Sequence, residues 1–271
     1  MGRFARVALL MLCSVATAAR ATAAGGASAA DDPLVRARQL YTQGDYEGTI
    51  AAAEQARLLP GRADAAELVA ARAYLERFRL SSDDDDLASA RLRLRRLDPV
   101  RFDPRERVEY TVGLGEALYC AGAFGAAAIV FDSVLRGPDT IATINRERVL
   151  DWWADALDRD TRPRPDIDRQ EVYRRIRARM DDELAKRPAN ATAAYWRAAA
   201  AHGQGDLQSA WDAAQAAWVC AALAADGGAQ LRADVDRLVT RAIIPDRAKL
   251  LGQPPQRLLA DWEQFKTQWT K

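Results

Sequence analysis

The stretch from Asp103 to Pro138, DPRERVEYTVGLGEALYCAGAFGAAAIVFDSVLRGP, limits what this chain can become. Apolar residues recur at helical spacing on both sides of Gly122-Ala123-Phe124, which predicts two amphipathic helices joined by a tight turn. Small residues, Gly115 in the first helix and Ala127 in the second, stand where the two would touch. Neither helix can bury its apolar face alone, and the same pattern recurs before and after it. The sequence therefore predicts a stacked array of helix pairs, each completing its core against its neighbours.

Composition agrees with a folded chain. Of 271 residues 49% are hydrophobic and 28% charged, which suits a globular protein rather than a disordered one. Strand formers are scattered and no run alternates apolar and polar for long, so the predicted class is all-α. Lysine stands only at Lys186, Lys249, Lys266 and Lys271 beside many arginines, and with the alanine richness this suggests a GC-rich bacterial genome.

Arg3 and Arg6 precede an uncharged run from Val7 to Ala19, followed by Arg20 and the small-residue tract ATAAGGASAA. A basic start, a short apolar core and small-x-small sites predict a secretory signal peptide over residues 1–30, cut after Ala30 or after Ala23. The run is short for a transmembrane helix, and Leu12 before Cys13 is the wrong residue for lipid attachment. An uncleaved anchor is the alternative reading. Losing this leader removes three arginines and no acids, which takes the net charge from +1 to −2. A near-neutral exported protein is a poor nucleic-acid binder. Cys120 and Cys220 remain, and export permits a disulfide, although cysteine is equally a small core residue of helices.

From Asp32 the chain divides into units. In the first, Asp32 caps a helix with Pro33 at its start, Gly44-Asp45-Tyr46 turns, and Pro60-Gly61 stops the second helix. The second runs from Arg62 to Pro99, with Leu68, Ala71, Leu75 and Phe78 on one helix and Leu87, Ala90, Leu94 and Leu97 on the next. Between them lie Ser81-Ser82 and the acidic run Asp83 to Asp86. That run lacks the glycine and spaced ligands of a calcium loop and reads as a helix start. The third unit is the opening stretch. The fourth is uneven: one helix over roughly 143–157, a Pro-rich connector RDTRPRPDID, and a second helix over 169–187 carrying Val172, Ile176, Met180 and Leu184. The fifth turns at Gly205-Asp206-Leu207.

Laid on Gly44, Gly122 and Gly205, three units agree: Ala37, Gly115 and Ala198 seven before, Tyr46, Phe124 and Leu207 two after, Ala56, Val134 and Ala217 twelve after. This resembles the tetratricopeptide repeat, including its Leu-Gly pair at Leu114-Gly115 and its end-of-repeat Pro-x-Asn at Pro188-Ala189-Asn190. The turns fall about 40 residues apart, longer than the usual 34, and the fourth connector is too long for the family turn. The resemblance implies a right-handed α-solenoid of about five antiparallel helix pairs over residues 31–224. Residues 225–271 then cap it: Asp226-Gly227-Gly228 breaks the helix, residues 231–244 form another, and Gln253-Pro254-Pro255 introduces the last, to Trp269. Trp262, Phe265 and Trp269 share one face of that helix, as a cap on the final repeat or as a docking helix for another subunit.

No catalytic constellation emerges. His202, the single histidine, reads as a solvated turn residue, since a catalytic or zinc histidine needs an orienting partner or fellow ligands. Gly113-Leu114-Gly115 has no strand before it and fails as a nucleotide fingerprint. Paired carboxylates such as Asp181-Asp182-Glu183, or Asp155 with Asp158, sit on arginine-rich helices where ion pairing accounts for them. Asn190-Ala191-Thr192 matches a glycosylation sequon by coincidence. Trp211 and Trp218 read as core, and of the adjacent Trp152 and Trp153 one is expected to be partly exposed.

In the family, the first helix of each pair lines the concave surface. The resemblance therefore makes Arg107 and Tyr110, Arg148 and Trp152, and Tyr195 and Arg197 the candidate partner-binding residues. It implies a non-catalytic scaffold that holds a peptide or protein on that surface, in the periplasm or more widely in the bacterial envelope, with no cofactor and no metal. The alternatives are a structural accessory subunit of a secretion, assembly or cell-wall complex, and a divergent solenoid enzyme acting on glycan.

Overall fold

A computed structural model of the chain describes residues 32–137, 146–223 and 228–269, and the leader predicted over residues 1–30 lies outside them. Among the described residues all regular structure is helical. The order is α1 (Pro33–Gln43), α2 (Tyr46–Arg57), α3 (Ala63–Ser81), α4 (Asp84–Arg96), α5 (Pro104–Cys120) and α6 (Phe124–Leu135). There follow α7 (Arg146–Thr161), α8 (Asp166–Lys186), α9 (Ala191–Gly203), α10 (Leu207–Ala221), α11 (Ala229–Leu238), α12 (Ile244–Leu251) and α13 (Pro255–Trp269). Among the described residues no helix is long and apolar enough to cross a membrane.

Short polar residues start these helices. Asp32 accepts the Leu34 N–H at 2.9 Å, Asp103 that of Glu106 at 2.8 Å, and Asn190 that of Ala193 at 2.9 Å. The three glycines on which the units align are one backbone device. Gly44, Gly122 and Gly205 have φ of +79°, +77° and +77°, a left-handed conformation that ends a helix at little cost only without a Cβ. Between α3 and α4 the same role falls to Ser82, at φ +58°. Asp83 caps α4 and the next three aspartates occupy its first turn, as a helix start requires. Asp86 turns inward onto Arg77, 3.1 Å away.

Each helix packs on the next along the chain wherever the intervening residues are described, and α1, α3, α7 and α9 also reach α3, α5, α9 and α11. The core is correspondingly a succession of clusters. One joins α1 to α3, the next α3 to α5, a third α5 to α9, and the last α9 to α13. Within the third, the fully buried Phe131 ring of α6 lies against Gly115 of α5, where an added Cβ would fall 2.5 Å from Phe131 Cε1. The small residue is there because the ring fills its place.

The structure departs from the sequence reading in several places. The connector of the fourth unit is only residues 162–165, because α7 runs on to Thr161 and α8 begins at Asp166. Asp158–Arg162 at 2.7 Å and the Asp160–Arg164 pair, both one turn apart, carry the helical spacing past the expected end. The predicted 143–145 start of α7 lies outside the described residues. Trp152 and Trp153 are both buried, at 7% and 0% exposure, because α7 is enclosed by α6, α8 and α9. The helix expected over 231–244 begins at Ala229 and continues through a wide π turn, Val239–Ile243, into α12. Pro245 explains that turn: it has no N–H to donate to the preceding turn, and the wider winding absorbs the defect. Cys120 and Cys220 are free thiols, each half-buried. Burial raises the Cys120 thiol to about 11, foremost among its causes.

Candidate binding groove

Two hollows open along the face formed by the odd-numbered helices. The first, of about 490 Å³, is lined from α1, α3, α5 and α7. Its chemistry is arginine and aromatic: Arg38 and Tyr41, Arg72, Arg105, and Arg148 with Trp152, with Tyr46 at the rim. Arg148 lies 4.6 Å above the Trp152 ring centroid and Arg79 5.5 Å from it, so the buried indole is a floor under charge.

Arg38, Arg72 and Arg148 are held by acids on other helices, and Arg105 by Glu109 of its own helix at 2.9 Å. Arg38 reaches Glu106 at 3.0 Å, tying α1 to α5. Arg148 pairs with Glu76, tying α7 to α3, and Arg79 joins the same carboxylate at 2.7 Å. Arg72 stands 3.5 Å from the buried Glu116 of α5 and 4.9 Å over Tyr41. Burial, the largest influence, pushes the Glu116 carboxyl up, and the Arg72 charge only partly offsets it. The cationic heads of this hollow are thus fixed by the chain's own acids.

The second hollow, of about 390 Å³, lies between α7, α9 and α11 and is acidic. Asp151, Asp155 and Asp158 descend one face of α7, Asp234 faces them from α11, and Tyr195 and Trp196 come from α9. Asp155 accepts from Tyr119 and pairs with Arg159 at 2.7 Å. Asp158 accepts from Tyr173 at 2.8 Å and pairs with Arg162. Asp151 accepts the Trp196 Nε1–H at 2.7 Å. Solvent reaches Asp151, yet the surrounding protein raises its carboxyl foremost. Trp196 opposes this, and Asp155 and Asp234 add to it. The Tyr195 hydroxyl is pushed up to about 12 by burial first and by the same aspartates after it.

α7 is the wall between the two hollows. Arg148, Val149 and Trp152 face the first, and Asp151, Asp155 and Asp158 the second. Of the six residues expected at the groove, Arg148 and Trp152 line the first hollow and Tyr195 the second. The other three are placed elsewhere. Tyr110 packs on Phe102 at 5.7 Å and bonds the Leu94 carbonyl. Arg197 turns to Asp181 of α8 at 2.7 Å. Arg107 is exposed on α5 and lines neither hollow. Sequence reasoning passed over Arg38, Tyr41, Arg72 and Arg105, whose partners lie up to 68 residues away. Asp151 had a local signal: with Asp155 and Asp158 it follows helical spacing on one face.

His202 is not a solvated turn residue. It belongs to the last turn of α9, three-quarters buried, with Nε2 2.8 Å from Asp246 Oδ2 of α12. That contact pins α12 to α9. Among the described residues no three His, Cys, Asp or Glu side chains gather as a metal-binding set. The sequon asparagine, Asn190, is 3% exposed and spends its side-chain oxygen on the α9 cap. Compared with protein-family models and with characterised proteins, the sequence matches none.

Proposed function

We propose that this chain is a non-catalytic interaction scaffold, a tetratricopeptide-like solenoid that holds a peptide or protein segment along the face of its odd-numbered helices in the bacterial envelope. One observation carries the reading: both hollows open on the side presented by the first helix of each pair, the first lined by arginine and aromatic side chains and the second by aspartates and aromatic side chains. Such residues are the usual anchors of protein interfaces. The three turn glycines in one conformation, and the packing of Phe131 on Gly115, support the resemblance on which the solenoid rests. The envelope location rests on the basic, apolar and small-residue leader of residues 1–30.

The test is capture in cells: tagged full-length chain is crosslinked and its partners identified by mass spectrometry, beside an Arg38→Ala/Arg105→Ala variant with helicity checked by circular dichroism. Capture of one envelope protein by the wild type, lost in the variant, is the expected result. Capture unchanged by the variant refutes the groove.

A second reading, an accessory subunit of an envelope complex, is favoured by the other end of the chain. Leu250, Leu251, Leu259 and Trp269 of α12 and α13 are exposed at 71%, 47%, 40% and 55%, an apolar surface suited to a permanent neighbour. Capture that survives the groove variant and fails in a Leu259→Glu/Trp269→Glu variant decides for it.

A further inference from the structure

We infer that the hollow between α1, α3, α5 and α7 is a pocket for a small free monocarboxylate with an apolar body, its carboxylate received by Arg72. This goes beyond the scaffold reading, since the ligand is a free molecule and no part of the segment held along the face.

Four arginines line the hollow, and three of them are hydrogen-bonded to carboxylates. Arg38 donates to Glu106 at 3.0 Å, Arg105 to Glu109 at 2.9 Å, and Arg148 to Glu76. The Arg72 guanidinium donates to no described residue. Glu116, the carboxylate paired with it, stands 3.5 Å from Nη2, and the two exchange no hydrogen bond. Both Glu116 oxygens and Arg72 Nε are enclosed without a hydrogen-bond partner, in side chains only 2% and 14% exposed. Groups buried in this way are costly to leave unbonded. The Arg72 Nη nitrogens are not enclosed, and the hollow is the space onto which they open. Tyr41, 4.9 Å from the guanidinium carbon, covers one face of the group and leaves its edge for hydrogen bonding.

An independent observation is the wall. Val69 of α3, Val112 of α5, and Val149 and Trp152 of α7 give the hollow an apolar side. Its volume of about 490 Å³ lies within the roughly 300–1,000 Å³ of small-molecule pockets, which join an apolar lining to a few placed polar groups. The acidic side chain of a bound segment carries too few methylenes to cover that wall. A free molecule with a hydrocarbon or aromatic body covers it and presents its charge to Arg72.

The count of unbonded groups selects the charge. One guanidinium without a hydrogen bond matches one negative charge, and the two oxygens of a carboxylate fit its planar fork. A phosphate dianion would ask for a second unengaged cation, and Arg38, Arg105 and Arg148 already have carboxylate partners. Glu116 does not replace the ligand: burial pushes its carboxyl up, which weakens it as a counter-charge to Arg72.

The test is isothermal titration of the full-length protein with 4-phenylbutyrate. Binding is expected, with 4-phenylbutanamide, equal in size and neutral, and acetate, which lacks the body, each at least tenfold weaker. Arg72→Gln/Glu116→Gln removes the pair together, so that no lone buried charge remains, and is expected to weaken binding at least tenfold with helicity intact. Arg72→Lys keeps the charge beside Glu116 but loses the planar fork. It is expected to bind severalfold more weakly, and it decides if the double variant does not fold. Arg175→Gln on α8, whose 3.5 Å pair with Asp132 lies outside the hollow, leaves binding unchanged. Equal binding of 4-phenylbutyrate by either Arg72 variant, or of the amide or acetate by the wild type, overturns the inference. Phenyl phosphate binding more tightly than 4-phenylbutyrate overturns the choice of a single charge. Acetyl-Ala-Glu-Ala amide binding more tightly overturns the free molecule in favour of an acidic side chain of the held segment. If 4-phenylbutyrate fails at millimolar concentration, the pocket is refuted, while cellular capture that depends on Arg38 and Arg105 leaves the scaffold reading standing.

Discussion

Two glycines on one helix allow the packing argument to be tested with the helix itself as the control. Gly113 and Gly115 both lie in the interior of α5 and both are buried. Replacing either by alanine gains about 1 kcal/mol of helix propensity, because the unfolded chain loses freedom and the folded helix does not. What differs is the space. A Cβ at position 113 would meet Leu94 Cδ2 at 3.4 Å, an ordinary contact. A Cβ at position 115 would sit 2.5, 2.8 and 2.9 Å from Cε1, Cδ1 and Cζ of Phe131. That ring is 0% exposed and backed by Trp152 at 5.6 Å, so it cannot swing aside. Overpacking of this kind costs about 1–3 kcal/mol. The helix gain is common to both variants and cancels, so the gap between them is the steric cost alone. In urea denaturation followed by circular dichroism, a slope of about 1–3 kcal/mol per molar places the two midpoints about 1 M apart. Gly113→Ala is expected above the wild type and Gly115→Ala below Gly113→Ala by that amount. Phe131→Leu, destabilising alone, is expected to be better tolerated with Gly115→Ala. If Gly115→Ala is as stable as Gly113→Ala, the close seating of α5 on α6 is wrong, and with it the reason for a small residue seven before each turn.

Other expectations follow from single contacts. Glu183 is 1% exposed and held by Arg146 at 2.6 Å and Arg187 at 3.1 Å. Arg146→Ala should cost about 3–5 kcal/mol by leaving a buried charge underpaired, measured as loss of unfolding free energy at pH 7. Burial alone would raise the Glu183 carboxyl, but the two arginines outweigh it and lower it. Its stabilisation is therefore complete above the ordinary glutamate range and lost as pH falls through the lowered folded value. The acid-unfolding profile of Arg146→Ala should accordingly be shallower than that of the wild type. Asn190→Ala should cost about 1 kcal/mol through the lost cap, and the intact Asn190 should remain unmodified by mass spectrometry even in a glycosylating host. Trp262→Ala removes a fully buried ring between Trp211, Trp218 and Phe265, at about 3–5 kcal/mol. Its effect should be local, with new proteolytic cuts near Gly252 and protection of α1–α8 retained in hydrogen exchange.

Helix periodicity, caps and turns are local properties, and they determined the all-α class, the placement of α1 to α6, and the common conformation at Gly44, Gly122 and Gly205. Local pattern also marked Gly115 as a packing site and the four aspartates from Asp83 as a helix start. It misjudged the fourth unit because proline signals a break without saying how many residues the break consumes, and α7 runs on to Thr161, with Asp158 paired to Arg162, before the break at 162–165. The groove was legible only in part. That the first helix of each pair faces it led to Arg148, Trp152 and Tyr195, but the side of a helix that meets a neighbour is set by crossing geometry. Tyr110 and Arg197 accordingly turned to Leu94 and Asp181 instead. Whether an arginine is held by a hydrogen bond depends on residues such as Arg38 and Glu106, 68 positions apart. Periodicity specifies a face in one dimension. Opposing charges and a shared wall at α7 exist only once the helices are stacked in three.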